Sequence, residues 1–548
     1  GIGALGGGEL DVQAGGDLKN ATLAIPTTGR EIAGAQTVGN DVFVEALETT
    51  EVAGGGRLRV QVGGDAQNSQ FYLGDGAADV QIGGSSFGTE IYTGFDARFR
   101  LTANDGVVLA SVSDTGQIAL SDSQGSLAGR DASFYTNAFY SYAETNRLGL
   151  QALAGNVDLV EALTTGSLRL PPSFSAISHS ADLNINGSLV QHPSAQGQLD
   201  LIAGRSILGV SATRITQLDQ DPALLESIQF PLTGIFNASV HAETPVHIND
   251  PQPNLIVAGQ GDIRANLVDE PWGIDLAKST HMQAGRDIEN LNMKVQNNRA
   301  DDISSVIAGR DIVQLVQRTD NGTFVTFRNE NPLNASQFEI SGPGLVEFLA
   351  GRDINLGTSD GIETAGNTLN RFLSDDGADL VMMAGLGGDI DTASFVQSYF
   401  IDGVEAIDIE TGETRQVNYQ PQLLEYLSER NIAVDEGDAV GVFLSLDSRE
   451  QRPLLIDTLF SELKESGVYA QESGTSDYSR GFNAINTLFP LSDPEGDISM
   501  LLSQAQTLDG GGIDMLVPGG FINAGVATAT AIQKTPDQLG IVAQRDGN

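Results

Sequence analysis

The stretch Ala284-Gly285-Arg286-Asp287-Ile288 decides the fold, because it returns almost unchanged along the chain. Identical copies occupy 308–312 and 350–354, and the copy at 203–207 has Ser in place of Asp. Looser copies of the pattern apolar-x-apolar-x-Ala-Gly, some with Val before the glycine, end at Gly15, Gly63, Gly155, Gly259 and Gly385. A repeat length in the twenties is typical of a solenoid, in which each repeat buries its apolar face only against its neighbours.

The residues within the repeat indicate which kind of solenoid it is. Alternation such as Leu199-x-Leu201-x-Ala203 has the period of a β-strand with one face inward, and it lacks the 3.6-residue spacing of helical repeats. The Leu-x-x-Leu-x-Leu pattern of leucine-rich repeats is also missing. The repeat therefore predicts an all-β solenoid, a parallel β-helix. We expect the following side chains to be buried: Leu199, Leu201, Ala203, Ile207, Val346, Phe348, Ala350 and Ile354.

The Ala-Gly pair should mark a corner between two strands. Glycine adopts the positive φ of a sharp turn without steric cost. The predicted structural corners are Gly204, Gly285, Gly309 and Gly351. The charged residues that follow should stay in water, namely Arg286, Asp287, Arg310, Asp311, Arg352 and Asp353.

Composition limits the partners. The chain has 548 residues, a net charge of −43, only 18% charged residues and no cysteine. Disulfides, thiolate metal sites and a cysteine nucleophile are therefore excluded. Because phosphate binding depends on clustered Lys and Arg, we expect no nucleic-acid partner and no basic patch. No stretch is long and apolar enough for a transmembrane segment.

One segment interrupts the strand pattern, so we divide the chain into a parallel β-helix at 1–393, an α-helical insertion at 394–494 and resumed β-coils at 495–548. Predicted helices are Pro421–Arg430, Arg452–Ser466 with Gly467 as C-cap, and Tyr478–Phe489. Four apolar side chains are candidates for an exposed docking surface, unless they pack back on the rod: Leu423, Tyr426, Phe460 and Phe489. Since neither end of the chain is closed by a polar helix, we expect further coils or end-to-end stacking in a homo-oligomeric fibre.

Motifs for catalysis and cofactors are weak, and we predict no catalytic residue and no cofactor. Gly1-x-Gly3-x-x-Gly6 follows no strand and leads into no helix, as a dinucleotide site requires. Ser86, within Gly84–Gly88, lies in a Gly/Ser turn and not in the strand-to-helix turn of a nucleophile elbow. The histidines form no metal motif and are expected to be half-exposed: His179, His192, His241, His247 and His281.

Corner aspartates are the one candidate metal site. Asp17, Asp65, Asp287, Asp311 and Asp353 recur at corners in register. Calcium binds six to eight oxygens, so stacked carboxylates and turn carbonyls at Asp287, Asp311 and Asp353 are a weak calcium candidate. The alternative is that these residues are solvated corner side chains beside neighbouring arginines.

Several short motifs resemble those of the filamentous-haemagglutinin-like large exoproteins of Gram-negative bacteria, and more narrowly the haemagglutinin-family outer-membrane-associated proteins. The matching motifs, in addition to the Ala-Gly-Arg-Asp-Ile copies, are the stretch Gly1–Arg30, Gly342-Pro343-Gly344-Leu345, Ser359-Asp360-Gly361-Ile362, Gly366-Asn367, Tyr478-Ser479-Arg480-Gly481-Phe482, Leu488-Phe489-Pro490, Gly496-Asp497-Ile498 and Pro518-Gly519-Gly520. The resemblance implies a right-handed parallel β-helix that is secreted or held at the cell surface, exported through an outer-membrane two-partner secretion transporter.

Two functions remain at this stage. The first is a non-enzymatic surface fibre, an adhesin, matrix or envelope-coat component, whose partner is a host-cell, polysaccharide or neighbouring-cell surface. The second is a β-helical polysaccharide lyase or hydrolase. Three or more convergent acidic and basic side chains in one groove would favour the enzyme.

Overall fold

A computed structural model describes most of the chain. The described residues are 1–31, 36–38, 41–43, 50–117, 140–160, 168–210, 213–225, 240–265, 271–314, 337–387, 390–407, 411–490, 495–525 and 539–545. Many of the described residues that belong to no long sheet or helix lie in turns and loops between strands.

Three long sheets dominate the structure, and every strand pair within them is parallel. Sheet 1 has 13 strands. In sheet order they are Gly8–Ala14, Gly56–Val62, Gly76–Ile82, Arg98–Ala103, Arg147–Ala152, Ser173–Ser178, Gln198–Ala203, Asn254–Ala258, Thr280–Ala284, Ile303–Ala308, Leu345–Ala350, Asp379–Met383 and Ile513–Leu516.

Sheets 2 and 3 have 16 and nine strands. The main path of sheet 2 is Ile2–Gly3, Thr22–Ile25, Gln70–Leu73, Ser86–Thr93, Val107–Asp114, Val157–Val160, Leu183–Asn186, Ile207–Gly209, Ile263–Ala265, Ile288–Glu289, Ile312–Val313, Ile354–Asn355, Ile498–Ser499 and Ile522–Asn523, and Leu18–Lys19 and Ala66–Gln67 pair beside it. Sheet 3 comprises Leu168–Leu170, Leu189–Gln191, Arg214–Gln217, Trp272–Leu276, Leu291–Gln296, Gln337–Ser341, Gly361–Ala365, Gln504–Thr507 and Gly540–Ala543.

From 168 onward the chain visits sheet 3, sheet 1 and sheet 2 in turn, and we call one such passage a coil. Alternate residues of each strand point into one apolar core that runs the length of the stack. All eight side chains predicted to be inward are buried, each at most 1% exposed. The predicted parallel sheets and their inward register are therefore present, consistent with a β-solenoid.

Antiparallel pairing among the described residues is confined to small hairpins. These are Thr27–Glu31 with Thr50–Gly54, Gln36–Val38 with Asp41–Phe43, and Val404–Ile407 with Thr414–Val417. Short 3-10 turns occupy Thr115–Gln117 and Pro222–Leu224.

The helices lie between the last strands of the sheets. They are α1 Thr392–Val396, which continues as a π-helix at Gln397–Asp402, α2 Gln420–Glu429, α3 Ala439–Ser445, α4 Ser448–Glu472 and α5 Ser479–Leu488. No strand lies in 420–490, all of which is described, whereas 408–410 and 491–494 lie outside the described residues.

The prediction for α4 was too short at both ends. Asp447 and Glu450 form a capping box that starts the helix, and the helix passes through Gly467 to end at Glu472, with Ser473 as its C-cap. Gly467 is therefore not a C-cap. A substituted Cβ at Gly467 would meet no atom within 4 Å, so the position is open helix surface.

The helices pack on the outer face of sheet 1 through a second apolar cluster. Leu349, Val381 and Met383 point outward from sheet 1 and contact aromatic and aliphatic side chains of the helices. Three of the four proposed docking residues are buried there: Leu423 at 0%, Tyr426 at 9% and Phe489 at 1% exposed. Phe460 is half-buried against the same cluster. The idea of an exposed apolar docking surface is therefore wrong for these residues, because they pack on the apolar outward side chains of sheet 1, Leu349, Val381 and Met383.

Candidate functional site

The corner glycines are required for a different reason than predicted. Gly204, Gly285, Gly309 and Gly351 are absent from the residues with positive φ. A Cβ added to Gly309 would lie 2.3 Å from the carbonyl oxygen of Gly285, and one added to Gly351 would lie 2.1 Å from that of Gly309. Each corner glycine therefore lets the backbone of the next coil stack directly on the one before.

The corner aspartates are also placed differently than predicted. Asp287 and Asp311 are only 3% and 7% exposed, so the expectation that they stay in water was wrong. Arg310 Nε donates to Asp287 Oδ1 at 2.7 Å, and Arg352 Nε donates to Asp311 Oδ1 at 2.8 Å. The arginine of each coil thus covers the carboxylate of the coil before it, and the carboxylates are buried between coils, outside the apolar core. The hydrogen bond and charge of Asp287 raise the pKa of Arg310, so the pair stays ionised.

The same carboxylates hold the backbone together across coils. At successive corners a side-chain oxygen accepts the backbone N–H of the next coil, at 2.9 to 3.3 Å. The first series is Asp17, Asp65, Ser85 and Gly106, and the second is Asn156, Asp182, Ser206, Asp262, Asp287, Asp311, Asp353, Asp497 and Phe521. We call this the corner ladder. One of its last links joins the coils on either side of the helical segment, because Asp353 Oδ1 accepts from Asp497 N at 2.9 Å.

The corner ladder leaves little room for calcium at Asp287 and Asp311, since their oxygens already accept from arginine and backbone N–H. Asp353 differs, because its side chain is 42% exposed and its nearest arginine, Arg352, is 3.7 Å away. Within the described ranges, no group of three or more His, Asp or Glu is arranged to hold a metal ion.

A groove of 1110 Å³ lies on the outer face of sheet 1, beside the helices. Strands from Gly76–Ile82 to Asn254–Ala258 form its floor, and the loop 249–253 forms one wall. Arg449, from the first turn of α4, reaches its edge. The charged side chains that line it are Asp79, Arg98, Arg100, Arg147, Asp200, Asp250 and Arg449. This convergence was not predicted from the sequence.

The wall of the groove is fixed by a buried polar cluster. Lys278 Nζ donates to Asp250 Oδ2 at 2.6 Å and to Gln198 Oε1 at 2.8 Å, and Lys278 is 1% exposed. His247 Nδ1 lies 3.3 Å from the same Asp250 oxygen. Burial alone would raise the pKa of Asp250, but hydrogen bonds from His247 and Lys278 lower it to about 2. Asp250 is therefore a structural anion, whereas burial raises the pKa of Asp200 on the floor.

Apart from His247, which contacts Asp250 in the wall, the remaining motifs lie outside this groove. Ser86 begins a strand and is buried, with its hydroxyl hydrogen-bonded to Thr89, so the structure places no base beside it. His241 faces Asp219 at 3.4 Å, whereas His247 faces Asp250, so the two do not share a site. The expectation of half-exposed histidines was wrong for His192, His247 and His281, which are buried.

Comparison with known proteins does not identify the chain. No protein-family model, no curated protein and no solved structure matches the chain. In the part of the chain that the structure describes, no helix is both long and apolar enough to span a membrane. The features that characterise this chain are therefore its three parallel sheets, the corner ladder and the groove on sheet 1.

Proposed function

We propose that the chain is part of a non-enzymatic surface fibre, built as a right-handed parallel β-helix. The observation that carries the proposal is the corner ladder, which repeats one backbone contact from coil to coil over most of the length. A stack stabilised by neighbour contacts alone can be extended without a larger core, which suits a fibre. The sequence motifs that resemble filamentous-haemagglutinin-like exoproteins point the same way.

In this proposal the protein is exported by a two-partner secretion transporter of a Gram-negative bacterium and held at the outer surface. It would serve as an adhesin, matrix or envelope-coat component that contacts a host-cell, polysaccharide or neighbouring-cell surface. The absence of cysteine suits export of an unfolded chain, since no disulfide can form before folding. The strongly negative charge opposes lateral aggregation of bare rods.

The test is accessibility on cells that make the protein. An antibody against the exposed hairpin Val404–Ile407 with Thr414–Val417 should label intact cells, and external protease should remove the signal. Labelling only after the cells are permeabilised would contradict a surface location. An antibody against a cytoplasmic protein is the control for cell integrity.

A polysaccharide-active enzyme is the second candidate, because acidic and basic side chains do converge in the groove. Asp200 is the carboxylate on the groove floor whose pKa is raised by burial, as a general acid requires. Incubation with acidic polysaccharides should release no reducing ends or unsaturated products if the chain is a fibre alone. Turnover that the Asp200→Asn variant abolishes would establish the enzyme instead.

A further inference from the structure

The outer face of sheet 1 carries two rows of arginine that only the strand register reveals. Arg57, Arg98 and Arg147 belong to one row, in which Ala77 separates the first two. Arg59 and Arg100 belong to the next row, with Asp79 between them. All five arginines are exposed. Glu9 and Asp11 of the first strand lie directly beside Arg57 and Arg59, so Arg98 and Arg147 are the adjacent pair with no carboxylate in register next to it.

Arginines without an ion-pair partner are unexpected in this chain, because 72 Asp and Glu outnumber 29 Lys and Arg. None of the five makes an ion pair within the described residues, although most arginines at the corners do. Arg98 and Arg147 are direct neighbours on adjacent strands, about 4.8 Å apart. Like charges opposite each other destabilise a sheet, so this arrangement costs stability unless an anion neutralises it.

We infer that the arginine rows and the adjoining groove bind an acidic polysaccharide whose carboxylates pair with the guanidinium groups. This inference rests on the adhesive role proposed above and names its ligand. Guanidinium binds carboxylate through two parallel hydrogen bonds, and Arg98, Arg100 and Arg147 all line the groove. A chain lying across the strands would meet successive arginines along the row.

A row of side-chain amides beside the arginines favours an acidic polysaccharide over other polyanions. Gln13, Gln61, Gln81 and Gln151 occupy one register position of sheet 1, with Thr102 between the last two. An amide both donates and accepts hydrogen bonds, as the hydroxyls of a sugar require. A peptide offers such donors and acceptors only along its backbone, whereas each sugar unit carries several hydroxyls that both donate and accept.

The groove is less suited to nucleic acid. The two aromatic side chains among its lining residues, Phe99 and Phe174, are 2% and 1% exposed, so neither offers a face on which a base could stack. Asp79, Asp200 and Asp250 would repel closely spaced phosphates. A polysaccharide with one carboxylate per sugar can place its hydroxyls against these carboxylates.

The groove is also largely formed before any ligand arrives. The buried contacts of Lys278 with Asp250 and Gln198 hold loop 249–253 against the stack. The floor consists of hydrogen-bonded strands, which cannot rearrange locally. A ligand therefore loses little free energy to ordering of the protein.

The test measures binding of polygalacturonate to the purified chain at low salt by titration calorimetry. Dextran, polyglutamate and single-stranded DNA are titrated in parallel as comparison ligands. We expect polygalacturonate to bind most tightly, and to bind less tightly as salt screens the charges. The triple variant Arg98→Gln, Arg100→Gln, Arg147→Gln should weaken binding by about tenfold, since three exposed ion pairs are lost. The matched control is Arg415→Gln. Arg415 is an exposed arginine of the hairpin strand Thr414–Val417, outside sheet 1 and outside the groove, so this variant should bind normally.

Absence of polygalacturonate binding, or full binding by the triple variant, would overturn the inference. Equal binding of polyglutamate or single-stranded DNA would overturn the choice of polysaccharide. Because the substituted side chains are exposed, the triple variant should fold, and the single variant Arg100→Gln provides a smaller loss if it does not. These measurements use purified protein, so they can fail while cell-surface labelling succeeds, and the reverse also holds.

Discussion

Arg452 of α4 donates from Nε to Glu347 Oε2 of sheet 1 at 2.8 Å, and the two side chains are 9% and 0% exposed. Glu347 lies on the outer face of the sheet, in the register position that Asp200 and Asp79 occupy in earlier coils. Where the face is open, this position borders the groove. Where the helices cover it, the carboxylate needs a partner from the helix.

Removal of one member of this pair should be costly. Arg452→Met leaves the Glu347 carboxylate buried and unpaired, so we expect a loss of about 3–5 kcal/mol in the free energy of unfolding. The double variant Glu347→Leu with Arg452→Met should recover most of that loss, because an apolar pair suits the surrounding cluster. Urea denaturation of the two single variants and the double variant completes the cycle. Additive losses in the double variant would show that the two charges do not interact.

The corner ladder predicts a difference between two aspartates at equivalent positions. Asp311→Ala removes the hydrogen bond from Arg352 and the acceptor for Asp353 N, so it should destabilise by about 2 kcal/mol, the cost of two hydrogen bonds. Asp353→Ala removes an acceptor for Asp497 N but no covering arginine, and should cost about 1 kcal/mol. Thermal denaturation of both variants provides the comparison, and equal losses would contradict the role of the arginine.

Glycine-to-alanine substitutions should have opposite effects at two sites. Gly309→Ala places a Cβ 2.3 Å from a backbone oxygen of the preceding coil, so we expect a loss of at least about 2 kcal/mol. Gly467→Ala lies on open surface within α4 and should stabilise by about 0.5–1 kcal/mol through helix propensity. Chemical denaturation distinguishes them. A tolerated Gly309→Ala would mean that the coils do not stack as closely as described.

Acid should destabilise the fold through a buried histidine. Burial lowers the pKa of His192 to about 3, between the rings of Tyr140 and Tyr142. The unfolded chain protonates this imidazole below about pH 6.5, whereas the folded protein keeps it neutral. Its contribution to stability is therefore complete above pH 6.5 and is lost as the pH falls toward 3. At pH 5 the loss should be about 2 kcal/mol.

Urea unfolding at pH 7 and pH 5 tests this prediction. His192→Phe keeps the aromatic contacts and removes the titration, so its stability should fall less between the two pH values. His179→Gln, at an exposed position, should keep the wild-type dependence. An unchanged dependence in His192→Phe would exclude this residue as the cause.

The sequence was sufficient to predict the parallel sheets and their inward register. Leu58 and Val60 alternate with Arg59 and Gln61, for example, and burial of one face follows directly from that period. The contacts of the corner residues were harder to predict. Arg310 and Asp311 are neighbours in sequence, but the closest ion pair joins Arg310 to Asp287 of the coil before. Only stacking reveals that an arginine covers the previous aspartate.

Features that depend on register across unequal loops were also not predictable. Arg98 and Arg147 are adjacent on sheet 1 although 49 residues separate them, whereas Arg98 and Ala77 are adjacent at a separation of 21. Without the alignment of strands, the arginines look scattered. The extension of α4 past Gly467 likewise depends on packing against sheet 1 and α5, which outweighs the weak helix propensity of glycine.

The most direct test of the account is a disulfide engineered across the helical segment. Asn355 and Ser499 are paired on adjacent parallel strands of sheet 2 although 144 positions separate them. A spacing of about 4.8 Å between their Cα atoms suits a disulfide, and the chain has no cysteine of its own that could react instead. Asn355→Cys with Ser499→Cys should oxidise rapidly to one intramolecular bond. Asn355→Cys with Asn523→Cys, two strands apart, should not; equal oxidation of both pairs, or none of the first, would contradict a continuous stack of coils.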